Sequence, residues 1–220
     1  MDISLNDIDL ESIQIPDQEE EETPIPGAVI NFHNITHDDM NNGPGLRVVL
    51  WVAGCSHHCK KCHNPVTWDP NGGIPLDAWN ESEFWEWLDK PWTKGATFSG
   101  GDPLHCANRG YIGKMAQKIK ETRSNKDVVV YTGYTLKVDN GDFYFEDKEG
   151  NTFSYPALKY IDILNDGPFD CDIRKGDIAS DRFVPWVGSS NQRVIDVQES
   201  LKAGKVVERK YDKSGKYTLV

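Results

Sequence analysis

No stretch of the chain approaches the roughly 18 consecutive apolar residues that a membrane-spanning helix needs. The first residues, Met1-Asp2-Ile3-Ser4, carry no basic region and no continuous apolar run, so no secretory leader is expected and the expected location is the cytoplasm. Nor is there a cluster of Lys and Arg of the kind that contacts phosphate backbones. The formal charge is −11, but residues 1–24 hold nine acids and no base. Without them 26 acids face 24 bases, a charge of −2, and neither a nucleic-acid partner nor a membrane partner is expected. Cysteine is scarce and odd in number. There are five, three within eight residues, with Cys106 and Cys171 apart. That spacing reads as metal ligation rather than as a disulfide framework.

What is present is enough for one medium domain. The 220 residues are 38% hydrophobic, with seven Trp and eight Phe to build a core. Residues 1–24, ending in Glu19–Glu22 and Pro24, read as an acidic, disordered arm. Aliphatics recur along it at Ile3, Leu5, Ile8, Leu10, Ile13 and Ile15, which makes it a candidate docking segment. Residues 25–200 read as the main domain.

Within that domain short apolar runs alternate with helical patterns. Strands are expected at Arg47–Ala53, Gly95–Phe98, Asp127–Tyr131 and Tyr160–Leu164. Helices are expected at Asp77–Asp89, with Trp79, Phe84, Trp85 and Leu88 as the apolar side, and at Asn108–Arg123. Strands alternating with helices imply parallel β-α units, here too few to close an eight-stranded barrel. An open, partial β/α barrel is the expected fold, and ligands bind at the C-terminal ends of strands in such folds. Residues 136–155, with a turn at Lys148-Glu149-Gly150-Asn151, and residues 201–220, with Lys213-Ser214-Gly215, read as hairpin additions on the surface.

The chemistry concentrates in Cys55-Ser-His-His-Cys59-Lys-Lys-Cys62-His63-Asn64-Pro65. Three thiolates can hold three irons of a four-iron cluster and leave the fourth iron open to an exogenous ligand, whereas electron-transfer clusters use four cysteines. A zinc site from the same cysteines and one of His57, His58 or His63 is the competing reading. Cys59-Lys-Lys-Cys62-His63 also fits a haem-attachment motif, but that leaves Cys55 unexplained. A second motif, Ser99-Gly100-Gly101-Asp102-Pro103-Leu104, follows a strand. Its glycines would allow close backbone approach to a ligand and its carboxylate would suit an ammonium group. Read alone, it is a tight turn.

Together with Asn42-Gly43-Pro44-Gly45, Tyr131-Thr132-Gly133-Tyr134, Asp166-Gly167 and Gly188-Ser189-Ser190-Asn191-Gln192-Arg193, these motifs run in one colinear order from about Ile25 to about Val197. The set resembles the radical S-adenosylmethionine (SAM) activases of the anaerobic (class III) ribonucleotide reductase. The resemblance implies a [4Fe-4S] cluster on Cys55, Cys59 and Cys62, and reductive cleavage of SAM. It implies a glycyl radical made on the reductase's large subunit, with a reducing protein as electron donor. By position, Lys61, Cys62 and His63 would line the adenosine side of SAM, and Gly100, Gly101 and Asp102 its methionine end. The alternatives are an activase of another glycyl radical enzyme, of the pyruvate formate-lyase type, and a zinc-stabilised binding module. The Gly188–Arg193 stretch and the lack of further cysteine clusters favour the reductase. No aromatic flanks Cys62, and the arm and hairpins exceed the compact pattern.

Overall fold

A computed structural model describes residues 30–173, 185–212 and 216–220. The acidic arm and the Lys213–Gly215 turn lie outside the described residues. In chain order the elements are β1 (Asn31–Asp39), β2 (Leu46–Val52), β3 (Ile74–Pro75), α1 (Ala78–Asp89), β4 (Thr93–Gly100), α2 (Arg109–Thr122) and β5 (Asp127–Tyr131). Then follow β6 (Thr135–Asp139), β7 (Asp142–Glu146), β8 (Thr152–Phe153), β9 (Ile163–Asp166), β10 (Arg193–Asp196), α3 (Val197–Ala203), β11 (Arg209–Tyr211) and β12 (Tyr217–Leu219).

The molecule is a mixed α/β structure. A seven-stranded sheet runs β10-β9-β5-β4-β2-β1-β3. Its centre, β9-β5-β4-β2, is parallel, and both edges are antiparallel. The parallel strands are near-continuous apolar runs because both their faces are covered. Val48, Val49 and Leu50 of β2 and Val128, Val129 and Val130 of β5 are fully buried.

Helix α1 lies between β2 and β4 and helix α2 between β4 and β5, as expected, and each buries one stripe. In α1 the stripe is Glu81, Phe84, Trp85 and Leu88, which share a helix face at i, i+3, i+4 and i+7. Trp79, expected on that side, falls off the stripe and is 81% exposed. Glu81 takes the buried place because Trp85 Nε1 and the Tyr111 hydroxyl of α2 both donate to its carboxylate. A buried carboxylate with two donors is tolerated where an unpaired one is not.

The expected fourth strand is shifted. Pro156–Tyr160 forms a 3₁₀ turn, and the strand begins only at Ile163. The connection from β5 to β9 contains no α-helix. It is a three-stranded antiparallel sheet, β6-β7-β8, whose β6–β7 turn places Asn140 and Gly141 at φ 50° and 90°, the left-handed pair that a two-residue hairpin requires. Leu136 and Phe145 of this sheet are fully buried in the main core, so it is part of the core rather than a surface addition. The β11–β12 ladder is the more exposed of the two additions. Among the described residues no helix is long and apolar enough to cross a membrane.

Candidate functional site

Four strands end together and hand over to four loops. Val52 of β2 lies beside Gly100 of β4, and Tyr131 of β5 beside Asn165 of β9. The loops after them converge on a cavity of about 580 Å³, within the size range of small-molecule sites. Its wall includes Cys55, Cys59 and Cys62, together with Gly100, Gly101, Thr132, Gly133 and Gly167.

The cysteine loop is shaped by its own backbone. Gly54 N donates to Thr67 O (2.8 Å) and Cys55 N to Trp68 O (3.0 Å), which closes the loop at its base. Cys62 N donates to Cys59 O (3.0 Å), so the last two cysteines sit on one tight turn. His58 and Lys61 adopt left-handed conformations, at φ 46° and 57°, to wind the chain this closely. Asn108 Nδ2 donates to Ala53 O (2.8 Å) and Asp102 O (2.9 Å), which ties the loop's origin to the glycine loop.

Each sulfur also meets backbone N–H groups. The backbone N–H groups of His57 and His58 favour charge on Cys55 and that of Phe169 favours it on Cys59, while Asn64 N donates to Cys62 Sγ at 3.4 Å. Burial, helped by the Asp102 charge, pushes the Cys55 thiol up to about 12, and burial also raises Cys59. A bare thiolate is therefore disfavoured here, and bound metal would supply the missing positive charge. Directed N–H donors on metal thiolates are a feature of iron–sulfur sites. Among the described residues, the one group of three ligand-type side chains whose ligand atoms lie within 4.8 Å of one another is Asp170, Cys171 and Asp172, on the surface. The three cavity sulfurs are spread more widely. A single zinc, at about 2.3 Å from each sulfur, needs them closer than ~4 Å. The donor set thus fits a cluster better than one ion. Cys106 and Cys171 are not in the cavity wall.

Of the other residues singled out in the sequence, Cys62 and His63 line the cavity and Lys61 does not. Gly100 and Gly101 line it, but their close approach is to the protein's own backbone. A Cβ on Gly101 would lie 2.5 Å from Gly54 O and 2.8 Å from Thr67 O, and one on Gly100 would lie 2.5 Å from Val52 N. The glycine loop is pressed against the base of the cysteine loop.

Asp102 also lines the cavity, with its carboxylate turned to the protein. Its carboxylate is 1% exposed and fully used inside the protein. Oδ1 accepts from Leu104 N (2.8 Å) and the Thr132 hydroxyl (2.9 Å), and Oδ2 from His57 Nε2 (2.8 Å) and Gly133 N (2.9 Å). Little capacity remains for a ligand ammonium, so Asp102 serves to join the loops. The bond to Asp102 also takes up one of the two His57 ring nitrogens that the zinc reading could have used.

Reading the sequence gave no structural role to Arg47, Asn108 or Gln192, though each lies in a segment it singled out. Arg47 is fully buried within an apolar strand, where it bonds Thr97 Oγ1 (2.6 Å), Ala96 O (2.6 Å) and Pro44 O (2.9 Å) and pairs with Asp127. It anchors the loop that brings Asn42 to the cavity. A lone Arg inside RVVLWV was the available signal. Gln192 Oε1 accepts from Gly188 N (2.8 Å) and Ser189 N (3.1 Å), while its Nε2 donates to Gly167 O (2.9 Å). It ties together the two ends of the connection between β9 and β10.

Comparison with known proteins adds a family. Residues 41–195 match the model of the 4Fe-4S single cluster domain. A protein of Escherichia coli (strain K12) named anaerobic ribonucleoside-triphosphate reductase-activating protein is 36% identical over 167 residues, covering 75% of this chain and 97% of that one. Proteins of the same name from Pasteurella multocida (strain Pm70) and Enterobacteria phage T4 are each 33% identical over 165 residues. They cover 74% and 75% of this chain, and 95% and 93% of their own.

Proposed function

Because the chain belongs to the 4Fe-4S single cluster domain family and to the anaerobic ribonucleoside-triphosphate reductase-activating proteins, we propose that it is a glycyl-radical activase acting on the anaerobic ribonucleotide reductase. In this reading Cys55, Cys59 and Cys62 hold a [4Fe-4S] cluster, and SAM occupies the adjoining cavity against Gly100, Gly101 and His63. The observation that carries it is the sharing of one cavity wall by three thiols of a single loop and by the loops after three further parallel strands.

When bound, the cluster supplies the electron that cleaves SAM, so that a hydrogen atom is removed from a glycine of the reductase. The protein's own residues do the rest. The N–H groups of His57, His58, Asn64 and Phe169 stabilise charge on the sulfurs. Asp102 and Asn108 keep the glycine loop and cysteine loop in contact. The cavity opens at the strand ends, where the glycine-bearing loop of the reductase has a way in. The same reading takes the sheet as an open, partial β/α barrel of the radical SAM type, supported by its parallel centre. It takes residues 25–200 as the catalytic unit, with 201–220 as an extension. A reducing protein delivers the electron in the cytoplasm.

Metal analysis of anaerobically purified protein tests the first half. Iron and sulfide are expected, and stoichiometric zinc in their place would return the chain to a binding module. Electron paramagnetic resonance of the reduced protein, SAM and a reductase deuterated at the glycine Cα tests the second. A glycyl doublet and deuterium in 5′-deoxyadenosine are expected. SAM cleavage with neither would mean that the reductase is not the substrate.

A further inference from the structure

The residue between the first two cysteines that the sequence offered only as a zinc ligand has a more specific place. His57 is 5% exposed, deep between Cys55 and Cys59. Its Nε2 meets Asp102 Oδ2 at 2.8 Å; of the three other groups bonded to that carboxylate, Gly133 N and Leu104 N can only donate, one to each oxygen, and the Thr132 hydroxyl donates beside them. The carboxylate therefore acts as acceptor, and Nε2 carries the proton in this bond. The ring stands edge-on to Tyr134, with centroids 4.6 Å apart. It fits because residue 133 has no side chain: a Cβ there would lie 2.4 Å from the His57 ring. The backbone of His57 is held as well, since its carbonyl accepts from Lys148 Nζ (3.1 Å).

One buried carboxylate thus gathers the cysteine loop through His57, the loop after β5 through Thr132 and Gly133, and its own loop after β4. All three loops line the cavity. The geometry points to His57 as a positioning residue: it sets the cysteine loop at the distance from the Gly100–Gly101 and Thr132–Gly133 walls that a ligand bridging them requires. This rests on the proposal that SAM is that ligand. It assigns His57 to SAM alignment rather than to holding the metal, which the three thiols do without it.

Two substitutions separate the hydrogen bond from the ring's bulk. His57→Phe keeps a ring and loses the donor, whereas His57→Gln keeps an N–H donor of similar reach and loses the ring. Each full-length protein is reconstituted anaerobically and measured for iron and sulfide content, for SAM affinity, and for the change that SAM causes in the paramagnetic resonance spectrum of the reduced cluster. His57→Phe is expected to load the wild-type amount of iron while SAM affinity falls about tenfold, the usual scale for a residue that orients ligands from behind. The SAM-induced spectral change should shrink with it, and His57→Gln should recover most of both. Unchanged SAM affinity in His57→Phe overturns the inference, as does an equal loss in Phe and Gln, which would make the ring's packing the cause. If His57→Phe fails to fold, His57→Asn replaces it, since its shorter amide cannot span to Asp102, and the same outcomes decide. A wild-type protein that binds no iron or no SAM would instead sink the functional reading itself.

Discussion

The two antiparallel additions, β6-β7-β8 and β11-β12, look alike in sequence and differ in the structure. Both are short strands with polar turns. The first buries Leu136 and Phe145 completely and stacks Phe145 on Phe153 at 5.4 Å. It is also fastened by charge: Asp166, fully buried, accepts from Leu136 N (2.7 Å) and pairs with Arg193, which in turn donates to Leu136 O (2.8 Å). The second buries only Tyr211 well, and leaves Tyr217 42% and Leu219 45% exposed. Its firmest tie is Arg209 to Asp196 (2.7 Å). A hairpin becomes structural when one face has something to bury against. The first replaces the helix that would have covered β5 and β9, and the second lies over a sheet already formed.

Substitutions at matched positions test that difference. Phe145→Ala should have the largest effect, about 3–5 kcal/mol of destabilisation, because it empties a buried aromatic site. Chemical denaturation measures it, and a loss below about 1 kcal/mol would put the two additions on a par. Arg193→Met comes next. It leaves the Asp166 carboxylate buried without its cation, in a place where burial already raises the carboxylate above its ordinary range, and about 3 kcal/mol is expected. Restoration of stability by the double substitution with Asp166→Asn would confirm the unpaired charge as the cause. At the other addition Tyr217→Ala should change stability by no more than about 0.5 kcal/mol, as for an ordinary surface site. Lys148→Ala, in the turn that touches the cysteine loop, should cost only a few tenths in stability, since the lysine is half exposed. A large loss of reconstituted iron in that variant would show that the first addition supports the cluster loop as well as the core.

The glycine loop calls for a revision of expectation, and the structure explains it. Paired glycines after β4 suggested an open backbone facing a ligand. Because a Cβ at 101 would strike Gly54 O and Thr67 O, Gly101→Val should impair cluster loading together with SAM binding, rather than SAM binding alone. Iron content of the reconstituted variant checks this, and full loading would restore the simpler view.

Some features were legible because local patterns determine them. Strand β5 was read to the residue, since DVVVY has no other way to hide three valines, and α1 and α2 were bounded within a residue by their periodicity. Three cysteines spaced within eight residues must share one loop, whatever the fold. Strand β1 was not legible. Irregularities in its pairing with β2 put its two buried side chains, Phe32 and Ile35, three residues apart, which breaks the alternation that marks a strand. The Asn140-Gly141 turn was legible but passed over, hidden within a segment read as a single hairpin.

The sequence by itself determined which residues could carry the chemistry and that their loops follow strand ends, because ligand spacing and apolar periodicity act over a few residues. What only the tertiary structure decided is what each polar residue is used for. Asp102 and His57 are 45 residues apart, Arg193 and Asp166 27 apart, and Arg47 reaches Asp127 across 80. A buried charge must find its partner or neutralise, and that partner is set by which strands lie side by side, not by proximity in the chain.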